Sequence, residues 1–291
     1  MVPSNIFTSL NNNGLMLQVI FFAIFFGISI LLLPSDKTQP LIQVVSSLNE
    51  VFLKMVDIVM KGAPFFVFAL LAGKMSDLAG NDPQRVVDIF INLGWYSLVV
   101  VIGLALLVFV LYPLFVYFGT GRRISYRFFF KSIAPAQLLA FSSSSSAATL
   151  PVTLECVNDN LKVSKDVSSF VLPIGATVNM DGTSLYQAVA VVFLAQFHML
   201  DLSMAQQATI VLTATLASIG SAAVPSAGLI MLIIVLESVG LNPAWIGIIL
   251  PVDRILDMCR TVVNVTGDCT VATVVADSEG QVNREVWKNL D

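Results

Sequence analysis

Apolar positions in this chain come in long runs, not in the alternating or striped patterns of a soluble fold. Residues 15–34 carry no charged side chain, and about 20 such residues cross a bilayer as a helix. Residues 87–118 hold one charge, Asp88, near their start, and predict a tilted crossing. Between them, 41–74 begins amphipathic and ends apolar. Two later stretches are apolar but interrupted. Residues 132–155 break at five serines, Ser142 to Ser146, and then at Pro151. Residues 207–235 break at Ser218-Ile219-Gly220-Ser221 and then at Pro225. The expected organisation is a span within 81–124, a first helical hairpin over 125–160, a span over 165–200, a second hairpin over 203–240, a final span over 243–276 and a tail over 281–291.

Composition strengthens the membrane reading. Of the 291 residues, 56% are hydrophobic and 12% charged, with mean hydropathy +0.86; a soluble domain has about a quarter charged residues. The net charge of −4 is thinly spread and excludes a basic nucleic-acid footprint. Cys156, Cys259 and Cys269 form no ligand or disulfide spacing and read as small packing residues. The sole histidine, His198, ends an apolar stretch and reads as interfacial.

The two broken stretches echo each other: Ser146-Ala147-Ala148-Thr149-Leu150-Pro151 against Ser221-Ala222-Ala223-Val224-Pro225. So do the segments after them, Asn179-Met180-Asp181-Gly182-Thr183 against Asn264-Val265-Thr266-Gly267-Asp268. Basic residues cluster at Arg122, Arg123, Arg127 and Lys131 and again at Lys162 and Lys165, and none follows until Arg254. The positive-inside rule puts both clusters in the cytoplasm, so the two hairpins enter from opposite sides. The expected fold is all-α and polytopic, with inverted repeats, two re-entrant hairpins and two interrupted spans. Paired interrupted segments mark a transporter site near the bilayer midplane.

Charge is concentrated in 253–268. Asp253, Asp257, Arg260, Asn264 and Asp268 follow steps of four, three, four and four, which place them on one helical face with Thr261 beside them. Arg254 falls off that stripe and is expected to snorkel to the interface. Ionisable groups in a span face a cavity or a partner. Arg260 offers a planar fork to a carboxylate, Asp257 can take an ammonium group, and backbone N–H groups near Ser145 and Ser146 can hold a second carboxylate. Such a set describes an acidic amino acid. Asp181 and Asp268, each beside an Asn and a Gly, suit a small hard cation with backbone carbonyls, and sodium is the natural coupling ion.

These segments, SSSSSAATLP, NMDGT, ASIGSAAVPSAG and DRILDMCRTVVNVTGD, together resemble the glutamate/aspartate transporter family, the dicarboxylate/amino acid:cation symporters, bacterial members above all. The resemblance covers almost the whole chain. It implies an elevator-type transporter in which 1–80 belongs to a trimeric scaffold, 81–280 moves as a transport domain, and the second tip is the external gate. It implies substrate contacts from Ser145, Ser146, Thr183, Val224, Gly228, Asp257, Arg260, Thr261 and Asn264. It implies one sodium site at Asp268 with carbonyls of Gly175, Asn179 and Asn264, a second at carbonyls of Thr177, Ser218, Ile219 and Ser221 with the Met180 sulfur nearby, and a third involving Asn179 and Asp181. The expected cofactor is sodium alone, and the expected partners are the substrate, the lipid bilayer and two further copies in a homotrimer. The expected location is the plasma membrane (bacterial inner membrane), with the C-terminus cytoplasmic.

Against that pattern the chain starts near the family's fourth span, so the expectation is an N-terminally incomplete chain, with the third sodium site and the trimer in question. Gln187 stands where proton-coupled relatives have a glutamate, Ser144 and Met258 where many members have an arginine, and Ala223 where a glycine is common. Arg260 favours an acidic substrate, aspartate or glutamate, with a C4-dicarboxylate left open and Asp257 weighing against it. An inactive fragment is the third reading. An intramembrane aspartyl protease built on Asp181 and Asp268 lacks any substrate-docking signature, and the chain is not expected to be an enzyme.

Overall fold

The structure, a computed structural model, describes residues 2–11, 16–79, 83–121, 124–282 and 287. Arg122, Arg123 and most of the 281–291 tail lie outside the described residues. The chain divides into two compact units, Met1–Leu78 and Ala79–Asp291.

In the first unit, α1 (Ile6–Leu10) is followed by α2 (Met16–Leu31) and α3 (Ser35–Ala79). The predicted span 15–34 is thus helical only to Leu31, because the chain turns at Pro34, whose carbonyl accepts from the N–H groups of Lys37 and Thr38. Phe25, Leu31, Phe65 and Phe68 point outward, a surface suited to hydrocarbon, not water.

The second unit begins with α4 (Pro83–Leu106), which passes through a π-helical turn (Leu107–Leu111) into α5 (Tyr112–Gly119). The turn precedes Pro113, whose missing N–H breaks the regular ladder. Together these residues make one rod, Gln84–Gly119, that is long and apolar enough to cross a bilayer. Next come α6 (Tyr126–Ser143) and α7 (Ser146–Glu155), then α8 (Lys165–Val178) and α9 (Asp181–Phe197), then α10 (Met204–Ile219) and α11 (Ala227–Ser238), and last α12 (Ile246–Ser278). Serines start four of these helices: Ser125, Ser145, Ser164 and Ser203 each accept a backbone N–H from the first turn, which satisfies a donor that would otherwise be orphaned.

The breaks fall where the small polar residues are. Between α6 and α7 only Ser144 and Ser145 are non-helical, and Ser144 takes a left-handed conformation with φ 53°. Between α8 and α9 the break is Asn179–Met180. Between α10 and α11 it runs over 220–226 and ends on Ser226 with φ 60°. The expected interruption in the final span is absent, however. α12 is continuous through Asn264–Asp268, so of the two interrupted spans predicted only one is found. Gly267 has another use: a Cβ there would lie 2.6 Å from Asn179 Nδ2 and 2.8 Å from the Tyr112 hydroxyl, so the glycine permits close approach without ending the helix.

α12 is the centre of the unit. It packs against α4, α5, α6, α7, α8 and α9, and twenty of its residues are buried. An apolar cluster including Phe129, Ile133, Leu161, Leu172, Val265 and Cys269 fills the space between α6, α8 and α12, with Trp287 closing one end. The Trp287 indole N–H donates to Leu161 O at 2.8 Å. Cys156 and Cys269 are buried free thiols in this cluster. His198 stacks on Trp245, ring centroids 3.6 Å apart.

Candidate functional site

Four segments converge on the charged face of α12. The predicted stripe forms: Asp253, Asp257, Arg260, Thr261, Asn264 and Asp268 are all buried. Arg254 falls outside it with 47% of its side chain exposed and its Nη1 4.0 Å from Asp257 Oδ2.

Arg260, 1% exposed, is the hub. Its Nη2 donates to Asp253 Oδ1 at 2.9 Å and to Asp257 Oδ1 at 2.7 Å. Its guanidinium lies over the Tyr186 ring, Cζ 3.8 Å from the centroid. Nε and Nη1 meet no hydrogen-bond partner although both are buried. Nη1 is thus an unpartnered donor on a planar guanidinium held from behind by two acids and from below by a ring, and it can meet a carboxylate oxygen. Asp257, expected to be open to an ammonium group, is instead already paired with Arg260, and its other oxygen accepts from Ser226 N at 2.8 Å. Asp253 and Asp257 against Arg260 leave this cluster one negative charge in excess when all three are ionised.

The two broken tips meet here. Ser145 Oγ, while capping α7 through Ala148 N at 3.1 Å, donates to Ala223 O at 2.6 Å. The second tip is then held to α12 through Ser226 and to α9 through Gln187, whose Nε2 donates to Gly228 O at 2.9 Å. Ser146 is buried at the first turn of α7. Thr183 packs against Gly228, where a Cβ would come within 2.7 Å of Thr183 Cγ2. Thr261 Oγ1 is turned back to Asp257 O at 2.9 Å. Val224 sits in the tip and accepts from Ala227 N at 3.3 Å.

Deeper along α12, Asn264 and Asp268 engage the α8–α9 break. Asn264 Oδ1 accepts from Gly182 N at 2.9 Å, and its Nδ2 donates to Met180 Sδ at 3.2 Å. Asn179 Nδ2 donates to Asp268 Oδ1 at 2.9 Å and lies 3.4 Å from Asn264 O. The same Asp268 oxygen lies directly against Gly175, where any Cβ would collide with it. Gly175, Asn179, Asn264 and Asp268, the first expected cation set, are therefore brought together. Among the described residues no Lys or Arg pairs with Asp268, and a buried carboxylate without a cation is costly. Asp181 is exposed and accepts from the Tyr112 hydroxyl at 2.8 Å. Of the second cation set, α8 and α10 are in contact, but Ser218 O accepts from Ser221 N at 3.0 Å, Thr177 is exposed, Ile219 ends α10, and Met180 Sδ is taken by Asn264. The structure assembles that set less fully than the first.

Sequence reasoning missed several participants. Tyr112, Tyr186 and the backbone of Ser226 bond or stack within the site, and Gln187 and Ala223, singled out only as departures from the family pattern, bond there too. A tyrosine or glutamine in an otherwise apolar span is a weak signal that such a partner exists. Nothing local says which partner it is.

Known proteins resemble this chain over most of its length. The model of the sodium:dicarboxylate symporter family matches residues 1–278. Human excitatory amino acid transporter 5 is 41% identical over 260 residues, covering 89% of this chain and 45% of that protein. Human excitatory amino acid transporter 3 is 44% identical over 252 residues, covering 87% of this chain and 46% of that protein. An excitatory amino acid transporter of Caenorhabditis elegans is 41% identical, with 89% and 50% covered. The chain thus spans about half the length of the curated relatives it matches.

Proposed function

The chain belongs to the sodium:dicarboxylate symporter family, and on that premise we propose that it couples uptake of an acidic amino acid, aspartate or glutamate, to sodium across the plasma membrane, the bacterial inner membrane. The observation that carries the reading is the buried Arg260 with Nε and Nη1 unpartnered in the space where both broken tips meet α12. The substrate's side-chain carboxylate accepts from the unpartnered Nη1. Its ammonium group competes with Arg260 for Asp257, and its α-carboxylate reaches Asn264 and the N–H groups at the start of α7 near Ser146, where a helix N-terminus favours an anion. Ser145, Thr183, Val224, Gly228 and Thr261 line the space. Sodium sits at Asp268 with carbonyl oxygens of Gly175, Asn179 and Asn264, compensating a carboxylate that no Lys or Arg among the described residues pairs with. Further sodium sites use Thr177, Ser218, Ile219 and Ser221 beside Met180, and Asn179 with Asp181.

In this reading α6–α7 and α10–α11 are re-entrant hairpins inserted from opposite sides, and the second tip is the outer gate. Residues 81–280 move as the transport domain, 1–80 belong to a trimeric scaffold, and the C-terminus is cytoplasmic. A C4-dicarboxylate is the second reading, and one observation favours it. Asp257 is already paired with Arg260 at 2.7 Å, so a substrate without an amine does not leave that acid without a partner, and the expected objection loses force.

Uptake of labelled aspartate and of labelled succinate into proteoliposomes, with and without an inward sodium gradient, tests both. Sodium-driven aspartate uptake that unlabelled succinate fails to compete supports the amino-acid reading. Succinate uptake of equal efficiency replaces it, and uptake indifferent to sodium overturns the coupling.

A further inference from the structure

The sequence reading and the family resemblance assign no role to α4 in the site. Yet one α4 side chain reaches the back of the arginine. Tyr96 is 3% exposed and Tyr186 is fully buried. Their ring centroids lie 6.4 Å apart at 56°, and the other side of Tyr96 stacks on Phe193 at 4.7 Å and 26°. Phe193, Tyr96, Tyr186 and Arg260 therefore form one continuous run of ring contacts, stacked at Phe193–Tyr96 and tilted at Tyr96–Tyr186, from the α4–α9 interface to the guanidinium. Behind it lies a cavity of about 480 Å³ bordered by Asn92, Trp95, Tyr96, Phe193 and Gln196. The Tyr96 ring is the partition between that cavity and Tyr186. The hydroxyls of Tyr96 and Tyr186 are close to each other and to Asp253 but close no well-formed hydrogen bond.

We infer that Tyr96 is a positioning residue for Arg260, acting through Tyr186 to keep the unpartnered Nη1 aimed at the substrate carboxylate. The inference rests on the reading of Arg260 given under Proposed function. Asp253 and Asp257 both grip Nη2, so they restrain one corner of the fork and leave its plane free to tilt. The plane is set by the ring beneath it, since a guanidinium stacks flat on an aromatic face. Tyr186 can hold that face only while its own back is supported, and removal of the Tyr96 ring opens the cavity behind it. The support is the ring and not the hydroxyl, because the hydroxyl makes no bond whose loss would matter.

The test uses the whole transporter in proteoliposomes, with aspartate and serine as competing substrates and the sodium dependence measured alongside. Tyr96→Ala is expected to raise KM for aspartate about ten-fold at nearly unchanged maximal rate, since a misaligned contact costs substrate binding steeply. Its half-saturating sodium stays within about two-fold, because the Asp268 site lies further along α12. Its preference for aspartate over serine falls with the lost carboxylate contact. Tyr96→Phe is expected to restore all three values. Tyr96→Leu, which keeps side-chain bulk, serves where Tyr96→Ala does not fold, a sodium-dependent shift in thermal unfolding reporting the fold. A folded Ala or Leu variant with unaltered aspartate KM overturns the inference. So does a parallel change in sodium and aspartate dependence, which is what loss of packing alone produces, or failure of Phe to rescue. A wild type without sodium-driven acidic uptake overturns the reading of Arg260 and this inference with it. A transporting wild type with an indifferent variant overturns the inference alone.

Discussion

The two broken tips do different work with similar residues. The first, 143–146, is held by its own hydrogen bonds apart from that of Ser145 Oγ to Ala223 O. Ser143 Oγ lies 3.3 Å from Thr149 Oγ1, Thr149 Oγ1 donates to Ser145 O at 2.8 Å, and Ser145 caps α7. Ser144, Ser145 and Ser146 are buried, and the helices below the tip are rooted in the apolar cluster around Phe129 and Ile133. The second tip, 220–226, is longer and half-exposed over 223–226. Its bonds outward go to other elements: Ser226 to Asp257, Ala223 to Ser145, and Gly228 just beyond to Gln187. One of those anchors, Asp257, is a group that the proposed substrate competes for. A tip closed mainly by its own hydrogen bonds depends less on the ligand for its closure, whereas a tip closed through the binding site responds to it. On the proposed reading, this difference makes the second tip the part whose closure follows the substrate.

The largest expected effect tests that dependence directly. Arg260→Ala removes the only cation that pairs with Asp253 and Asp257 from inside the site, and uncovering buried acids in this way costs about 3–5 kcal/mol. Acidic substrate binding is expected to fall by at least about a hundred-fold. Hydrogen exchange is expected to quicken at 220–228 and not at 143–149. Equal loss of protection at both tips would show that the first is no more autonomous than the second.

Asp268→Asn comes next. The carboxylate touches Asn179 and Gly175 and neither tip, so it is expected to act on sodium alone. Loss of one charged ligand, about 1.5–3 kcal/mol, raises half-saturating sodium about ten- to a hundred-fold. In saturating sodium, second-tip protection returns to the wild-type level. Sodium titration of substrate binding measures the first effect and hydrogen exchange the second. Persistent opening at high sodium would tie the gate to Asp268 itself.

Much of this contrast is legible in the sequence, for local reasons. The serine run at 142–146 and the 220–225 stretch mark breaks that the structure bears out, whereas the break expected at Pro151 is absent because that proline sits inside α7; steps of three and four fix a helical face regardless of context. What the sequence hides is long-range. Gly267 looks like a break beside Asn264 and Asp268 and is instead a close-packing position against Asn179 and Tyr112. Only the folded neighbours distinguish the two uses. The Asp257–Arg260 pair is one helical turn apart and so foreseeable, but its consequence, an acid paired before any substrate arrives, depends on rotamers. Tyr96, Tyr112 and Gln187 each sit among apolar residues with no periodic signature, and their partners are 41 to 90 residues away.

The smallest expected effect isolates the second tip most cleanly. Gln187→Leu removes the Nε2 bond to Gly228 O without touching Arg260, Asp257 or the first tip. One neutral hydrogen bond is worth about 1 kcal/mol, or roughly a five-fold change in an opening equilibrium. Leucine is near in volume, and the Gln187 Oε1 it also deletes has no partner to lose. Amides at 220–228 are therefore expected to exchange about five-fold faster, while those at 143–149 keep their wild-type rates. Saturating aspartate and sodium narrow the difference, because ligand bound to the closed form outweighs a fixed penalty of that size. An equal change at 143–149 would mean that the Ser145–Ala223 bond transmits opening from one tip to the other, and the two would then have to be treated as a single gate.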